Sequence, residues 1–150
     1  MNILQWLRSL LHPTARPTPP PAAASSDPRD ILPAVNAFRV RHNLPALLWH
    51  DGLASAAQDE ANWCANHRTL AHDRPFFPFS HRVRSYCPNV GTARENIADG
   101  QPDADAVADA WMGDDGHRQN MLAIDVTHLG GGIARDSGGT TYYAADFGGF

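Results

Sequence analysis

Two histidines and one glutamate are the residues of this chain best suited to chemistry: His72, Glu95 and His117, with Asp114 and Asp115 close to the last. Neutral imidazoles and a carboxylate can hold a divalent cation such as zinc, and the same groups can act as general acids and bases. The three residues lie 23 and 22 positions apart, so no local motif of the H-E-x-x-H kind unites them. Each also has a simpler interpretation, as a solvated loop histidine, a turn-capping glutamate and a histidine in the first turn of a helix. A joint site therefore depends on how the fold places them.

Other common chemistries lack their sequence patterns. Gly130-Gly131-Gly132 is not set between a strand and a helix, as a phosphate-binding loop requires, and no G-x-S-x-G nucleophile elbow is present. Cys64 falls on an apolar helical face, which favours a buried thiol or a disulfide partner over a nucleophile. The net charge of −4 argues against nucleic acid as a partner.

The 150 residues divide by composition into a tail and one domain. Residues 12–28 hold six of the twelve prolines, which predicts an extended, solvated linker. Before it, residues 1–11 carry their apolar side chains on one helical stripe. Three interpretations of this segment stay open: an atypical secretory signal, a short amphipathic membrane anchor, and a tail without a role. The globular domain is then residues 29–150, an ordinary size for a single domain.

The elements predicted to position these histidines are a mixture of helices and strands. Apolar periodicity and capping residues predict five helices, which start near Asp30, Asp51, Ser80, Asp103 and His117. A short strand is predicted over 46–49, and a hairpin is predicted from strands 129–134 and 140–147 around a Ser-Gly-Gly turn. The glycines of the first hairpin strand are typical of a close backbone approach. This order of elements predicts an α+β domain with a small, largely antiparallel sheet.

The segment before the third helix is rich in phenylalanine and proline. Phe76, Phe77 and Phe79 interleave with Pro75 and Pro78, a pattern typical of a packed loop. Because apolar side chains are usually buried, we expect the three rings to fill the core beneath the loop. The alternative is an apolar groove for a lipid-type ligand.

Several separated motifs resemble, in chain order, those of the CAP proteins, the superfamily of cysteine-rich secretory proteins, antigen 5 and pathogenesis-related 1 proteins. The most specific is WMGDDGHRQNML at 111–122, which resembles the W-x-x-S-P-G-H-R-x-N-I-L signature of bacterial members. The other matches are residues 35–39, 47–49 with 53–58, 71–72, 94–100, and 129–130 with 146–148. Together they span about residues 31–148.

This resemblance implies a three-layer α-β-α sandwich with a cavity that holds two histidines and one or two acids. On this sequence those residues are His72, Glu95 and His117, which would also be the ligands of Zn²⁺ or another divalent cation. Asp114 falls where many eukaryotic members carry a glutamate, although it is one methylene shorter and bacterial members often have serine there. Arg94 replaces the glycine that precedes Glu95 in the family. It either favours the charged form of that carboxylate or points to solvent.

The resemblance also implies an exported protein, secreted or associated with the cell envelope, that binds a ligand rather than transforming it. A lipid-like molecule and a protein are both open as its partner, with weak membrane association through residues 1–11. The alternatives are a metal-dependent hydrolase that uses the same residues and a structural domain of the envelope. In an oxidising compartment, Cys64 and Cys87 are candidates for a disulfide.

Overall fold

The computed structural model describes residues 27–150, so residues 1–11 and all but the end of the proline-rich linker lie outside the described residues. After a 3₁₀ turn at Pro28–Asp30, the described chain forms five helices and four strands. The helices are α1 (Ile31–Arg41), α2 (Asp51–His67), α3 (Phe79–Tyr86), α4 (Ala104–Gly113) and α5 (Asp115–Met121). The strands are β1 (Leu48–Trp49), β2 (Thr92–Asp99), β3 (His128–Arg135) and β4 (Thr141–Gly149).

The four strands form one mixed sheet in the order β1-β3-β4-β2. The predicted terminal hairpin is present as β3 and β4, which pair antiparallel along their whole length. β2 pairs antiparallel with the other side of β4, and the two-residue β1 adds a parallel edge to β3. Glu95, on β2, lies directly across from Asp146 on β4. The sheet register therefore brings a second acidic residue, which sequence analysis had not singled out, to the candidate site.

Both faces of the sheet are covered by helices. Alternate residues of β4 point to opposite faces, since side chains along a strand have a period of two. Tyr143, Ala145 and Phe147 pack in the cluster that contains residues of α1, α4 and α5. Tyr142 and Ala144 instead pack against α2. This is the predicted three-layer α-β-α arrangement.

Three helix starts differ from the sequence prediction: α5 begins at Asp115 rather than near His117, and the other two differ in their capping partners. His50, not Asp51, caps α2, because its Nδ1 accepts a hydrogen bond from the Leu53 backbone at 3.2 Å, while the Asp51 carboxylate accepts one from the Trp49 indole at 2.9 Å. Helix α3 begins at Phe79 rather than at Ser80. Its first backbone N–H donates to the carboxylate of Asp73 in the preceding loop, at 2.8 Å. In both places a partner from outside the predicted capping position satisfies the free backbone donor.

Helix α2 lies directly on β3 because glycines leave room for it. A Cβ atom at Gly130 would come within 1.9 Å of the backbone nitrogen of Ala54, and one at Gly132 within 2.4 Å of the backbone of Ala57. These obstacles are main-chain atoms, which cannot rotate away. The close approach predicted from the glycine-rich strand is therefore the contact on which the α2 layer rests.

We expect Gly132→Ala to lower the free energy of unfolding by about 1–3 kcal/mol, because the added methyl must push α2 away from the sheet. The matched control is Gly91→Ala, where the nearest atom to the added methyl is 3.5 Å away, an ordinary contact distance. Urea unfolding followed by circular dichroism measures both. Equal stability of the two variants would contradict this account of the α2–β3 contact.

Candidate functional site

The first part of the candidate site is a hydrogen-bonded pair between His72 and Glu95. Glu95 is buried on β2, and His72 lies in the loop that follows α2, with its side chain 52% exposed. The His72 Nδ1 lies 2.8 Å from the Glu95 Oε1. An imidazole fixed in this way leaves its other ring nitrogen free to face a ligand.

The second oxygen of Glu95 is bound from inside the protein. The guanidinium of Arg82, on α3, donates to Glu95 Oε2 and also to Glu60 on α2. The same guanidinium lies 3.8 Å from Asp146. Arg82, Glu60 and Asp146 have no exposure to solvent. One arginine therefore links two helices to two neighbouring strands beneath the candidate site.

A second arginine completes this buried group of charges. Arg74 pairs with Glu60 at 2.9 Å and with Asp59 at 3.2 Å. We call Glu60, Arg74, Arg82, Glu95 and Asp146 the buried ionic cluster. Of its members, sequence analysis singled out Glu95 alone, because a charged residue on a helix looks like any solvated charge until its partner is known. The one further signal available was Asp146, which interrupts the apolar run of β4.

The buried ionic cluster holds three carboxyl groups and two guanidinium groups. Burial raises the pKa of Glu95 to about 8, against the opposing attraction of Arg82, and it raises the pKa of Asp146 well above its usual range, with the Glu95 charge adding to the effect. Neither Asp146 oxygen has a donor. A protonated Asp146 that donates to Glu95 gives the carboxyl a partner and makes the cluster neutral. We therefore assign one proton to the Glu95–Asp146 pair at neutral pH.

The second part of the candidate site is the pair of Asp114 and His117. Asp114 caps α5: its Oδ1 accepts from the backbone N–H of His117 at 3.0 Å and lies 3.0 Å from the His117 Nδ1. The backbone hydrogen bond is the main cause of a lowered Asp114 pKa. Asp114 therefore remains an anion at neutral pH, and it orients the His117 ring.

Beside this pair lies a cavity of about 240 Å³. It opens between the loop after α2, the end of β2, α4 and the start of α5. Its walls are mainly apolar, and polar groups stand among them. The lining residues are Leu70, Ile97, Ala98, Asp99, Gln101, Ala110, Trp111, Asp114 and His117.

Two asparagines connect the backbone segments that carry the two parts of the candidate site. Asn96 donates to the backbone carbonyl of His117 at 3.0 Å, and Asn120 donates to the carbonyl of Glu95 at 3.0 Å. Asn120 also donates to the Asn96 side chain at 2.9 Å. Within residues 27–150, however, no hydrogen bond or ion pair joins the side chains of His72 or Glu95 to that of His117. The four predicted residues thus form two hydrogen-bonded pairs, whose backbones the two asparagines connect.

The residues present do not fit a three-ligand metal centre. In the part of the chain that the structure describes, no three His, Cys, Asp or Glu side chains are grouped so that they could share an ion. Glu95 has a protein partner on each oxygen, His72 on one and Arg82 on the other. In this arrangement the Glu95 carboxylate is not free to bind an ion together with His72 and His117.

Arg94 does not act on Glu95. Adjacent residues of a strand point to opposite faces, and the Arg94 guanidinium forms two hydrogen bonds with the carboxylate of Asp125, at 3.1 and 2.9 Å. The cation that contacts Glu95 is Arg82. Of the two alternatives for Arg94, the structure supports the one in which the side chain leaves the site.

The two cysteines are free and buried. The Cys87 sulfur lies against Gly52, at the first turn of α2, whereas Cys64 lies twelve residues further along the same helix. At 1.5 Å per residue this places the two thiols about 18 Å apart, and a disulfide needs Cα atoms within about 7 Å. The structure therefore does not contain the expected Cys64–Cys87 disulfide. Burial raises the pKa of Cys64 to about 12, which leaves it an unreactive thiol.

The family model of the cysteine-rich secretory protein family, CAP, matches residues 32–147. This chain belongs to that family. It is 31% identical to YkwD of Bacillus subtilis over 117 residues, which is 77% of this chain and 45% of YkwD. The chain thus spans less than half the length of that relative.

Solved structures of two bacterial proteins have the same fold. An extracellular protein with an SCP domain from Bacillus anthracis is 26% identical, with a TM-score of 0.76 over 91% of this chain and 45% of its own. An outer surface protein from Borrelia burgdorferi is 21% identical, with a TM-score of 0.74 over 81% of this chain and 90% of its own. Among the described helices of this chain, none has the length and apolarity needed to cross a bilayer.

Proposed function

We propose that this chain is an extracellular CAP domain that binds a small ligand in the cavity beside His117 and does not transform it. The observation that carries the proposal is the division of the site. The His72–Glu95 pair is tied into the buried ionic cluster, whereas the Asp114–His117 pair borders an open cavity of about 240 Å³. The extracellular location is supported by the B. anthracis and B. burgdorferi proteins, which are described as extracellular and outer-surface proteins.

The cavity favours a ligand that is apolar at one end and positively charged at the other. Ile97, Ala110 and Trp111 offer apolar surface, and the carboxylates of Asp99 and Asp114 supply negative charge. Few polar groups among apolar walls are typical of sites that orient a small ligand. An alkylammonium group combines an apolar chain with a cation and matches both features.

A catalytic role has less support, because Glu95, the carboxylate of the family motif, already pairs with His72 and Arg82. The Glu95 carboxylate is buried and has a partner on each oxygen, so direct action on a substrate would disturb buried contacts. A metal-dependent hydrolase further needs ligands that converge, and no three His, Cys, Asp or Glu side chains of the described residues are grouped for this. Zinc titration by calorimetry separates the two functions: we expect His117→Ala to leave zinc affinity unchanged, and a strong loss would favour the hydrolase alternative.

We expect hexylammonium to bind the full chain more tightly than hexanoate does, because the cavity presents carboxylates to the charged end of the probe. Chemical shifts of the Trp111 indole and the His117 ring, followed by NMR, measure both affinities. Asp114→Asn and His117→Ala should each weaken hexylammonium about tenfold, which corresponds to about 1.4 kcal/mol.

The matched controls are Asp109→Asn and His67→Ala, two exposed residues outside the cavity lining. They should leave the affinity within twofold. Equal binding of the two probes, or equal effects of the cavity and control variants, would contradict the proposed ligand class.

A further inference from the structure

Phe76 is the most exposed large apolar residue of the described chain. It is 105% exposed, and its backbone φ is +62°. This reverses the expectation that all three phenylalanines fill the core, since Phe77 and Phe79 are partly buried while Phe76 is not. Bulky residues rarely adopt positive φ, and such strain tends to persist where it has a use.

The ring of Phe76 stands at the tip of a tight turn. Arg74 and Phe77 exchange backbone hydrogen bonds in both directions, at 3.3 and 3.0 Å, so Pro75 and Phe76 are the two central residues. Proline at the first central position with positive φ at the second is the pattern of a type II turn, in which glycine is the usual second residue. Phenylalanine here gives the fold no buried contact and projects its ring into solvent.

The base of the turn is held firmly in the protein. The Arg74 guanidinium is bound by Glu60 and Asp59, and it lies near the rings of Trp63 and Phe77. On the other side, the Asp73 carboxylate accepts the first backbone N–H of α3. The tip is therefore presented on a rigid support, which lowers the entropic cost of a contact made by Phe76.

Exposed arginines flank the turn in sequence, although the chain as a whole is acidic. Residues 67–86 contain four arginines and one aspartate in a chain of net charge −4, and two of the four arginines are exposed. Arg74 and Arg82 face inward, and Arg84 is exposed and has no ion pair within residues 27–150. Arg68 is also exposed and pairs with Asp136 at 3.6 Å. Three further exposed side chains are the histidines His67, His72 and His81.

We propose that the turn at 74–77 docks this domain on an anionic lipid surface by inserting the ring of Phe76 among the acyl chains. The flanking Pro75 and Pro78 are exposed and uncharged, so inserting the tip into a bilayer does not bury a charge. The exposed Arg84, which has no ion pair within residues 27–150, then meets lipid phosphates, which attract basic groups at the membrane surface. This surface is separate from the ligand cavity and does not depend on it.

The test uses the full chain and vesicles made of equal parts phosphatidylglycerol and phosphatidylcholine. We expect Phe76→Ala to lower the vesicle partition coefficient about tenfold, since burial of a phenylalanine side chain is lost. Arg84→Gln should lower it about fivefold at low salt. The matched control is Ile124→Ala, which removes an apolar side chain that is 87% exposed elsewhere on the domain, and it should change binding less than twofold.

A site-specific probe separates insertion of the turn from binding by residues 1–11. Nitrobenzoxadiazole on Phe76→Cys should shift its emission to the blue when phosphatidylglycerol vesicles are added, whereas the same label on Ile124→Cys should not. Both native thiols are buried, so the introduced cysteine is the accessible one. Phe76→Gly should bind as weakly as Phe76→Ala with a Tm at or above that of the wild type, because glycine accepts positive φ. Unchanged binding by Phe76→Ala, or a label at position 76 that stays in water, would overturn the proposal.

Discussion

Replacing Arg82 with methionine is expected to lower the free energy of unfolding by about 3–5 kcal/mol, the usual cost of removing one partner from a buried ion pair. Methionine has a similar length, so the lost energy is that of the charge rather than of a cavity. Without the guanidinium, Glu60 and Glu95 lose a donor each, and Asp146 loses the nearest cation. Urea unfolding monitored by far-UV circular dichroism measures the change.

The matched control for this prediction lies on the same helix. Arg84 is exposed and forms no ion pair among residues 27–150, so Arg84→Met should change stability by less than about 0.5 kcal/mol. Arg82→Lys is a further comparison, because a single ammonium cannot bridge Glu60 and Glu95 as the planar guanidinium does, and a partial loss is expected. Similar stability of Arg82→Met and Arg84→Met would show that the buried ionic cluster does not stabilise the fold.

Local patterns predicted those parts of the fold that local physics determines. Asp103 caps α4 as expected, accepting from the backbone of Ala106 at 2.8 Å, and the glycines of β3 mark its contact with α2. The apolar periodicity predicted an α+β domain, and the family resemblance implied the two layers of helices around its sheet. Spacing alone, however, did not show where the long polar side chains go.

Arg82 and Arg94 illustrate what spacing leaves undecided. Arg94 is adjacent to Glu95 in sequence and was the natural candidate for its partner, but strand geometry turns the two side chains apart. Arg82 is thirteen residues away and looks no different from Arg84 in the sequence, yet it is the residue that reaches Glu95. The partner of a buried charge depends on tertiary packing. The sequence therefore predicted the candidate site without Arg82, the arginine that binds Glu95.

The stability of the domain is expected to fall as the pH rises from about 6.5 to 8. The folded protein holds a proton on the Glu95–Asp146 pair in this range, because burial raises both pKa values, that of Glu95 to about 8. In the unfolded chain these carboxyls have lost their protons by about pH 5. The folded state therefore binds more protons, and its stability decreases with pH by up to about 1.4 kcal/mol per unit. The stabilisation by the proton on the Glu95–Asp146 pair has its full value below about pH 4 and is lost as the pH rises through about 8.

Three other groups titrate near this window. Burial lowers the pKa of His128, so that residue favours the unfolded state as the pH falls through about 7, with the opposite slope. Burial raises the pKa values of Cys64 and Cys87, so these thiols add a slope of the same sign as the pair near pH 8. The carboxylates of Asp114 and Asp125 have lowered pKa values, and their contributions are lost only in acid. Urea unfolding at pH 6.5, 7.0, 7.5 and 8.0, chosen as steps of about half a unit, measures the total slope, and a variant of the pair separates its share from that of the thiols.

Asp146→Asn is expected to reduce this pH dependence while keeping the fold. The amide of asparagine has the shape of the protonated carboxyl and can donate to Glu95 from the same position, but it has no proton to release. The unfolding free energy should then fall less steeply between pH 6.5 and 8 than that of the wild type, with the two buried thiols contributing the remaining slope. It should exceed that of the wild type at pH 8, where the wild-type pair has begun to ionise. Asp109→Asn, at an exposed position on α4, is the matched control and should keep the wild-type slope. An undiminished wild-type slope in Asp146→Asn would place the titrating proton on some group other than the Glu95–Asp146 pair.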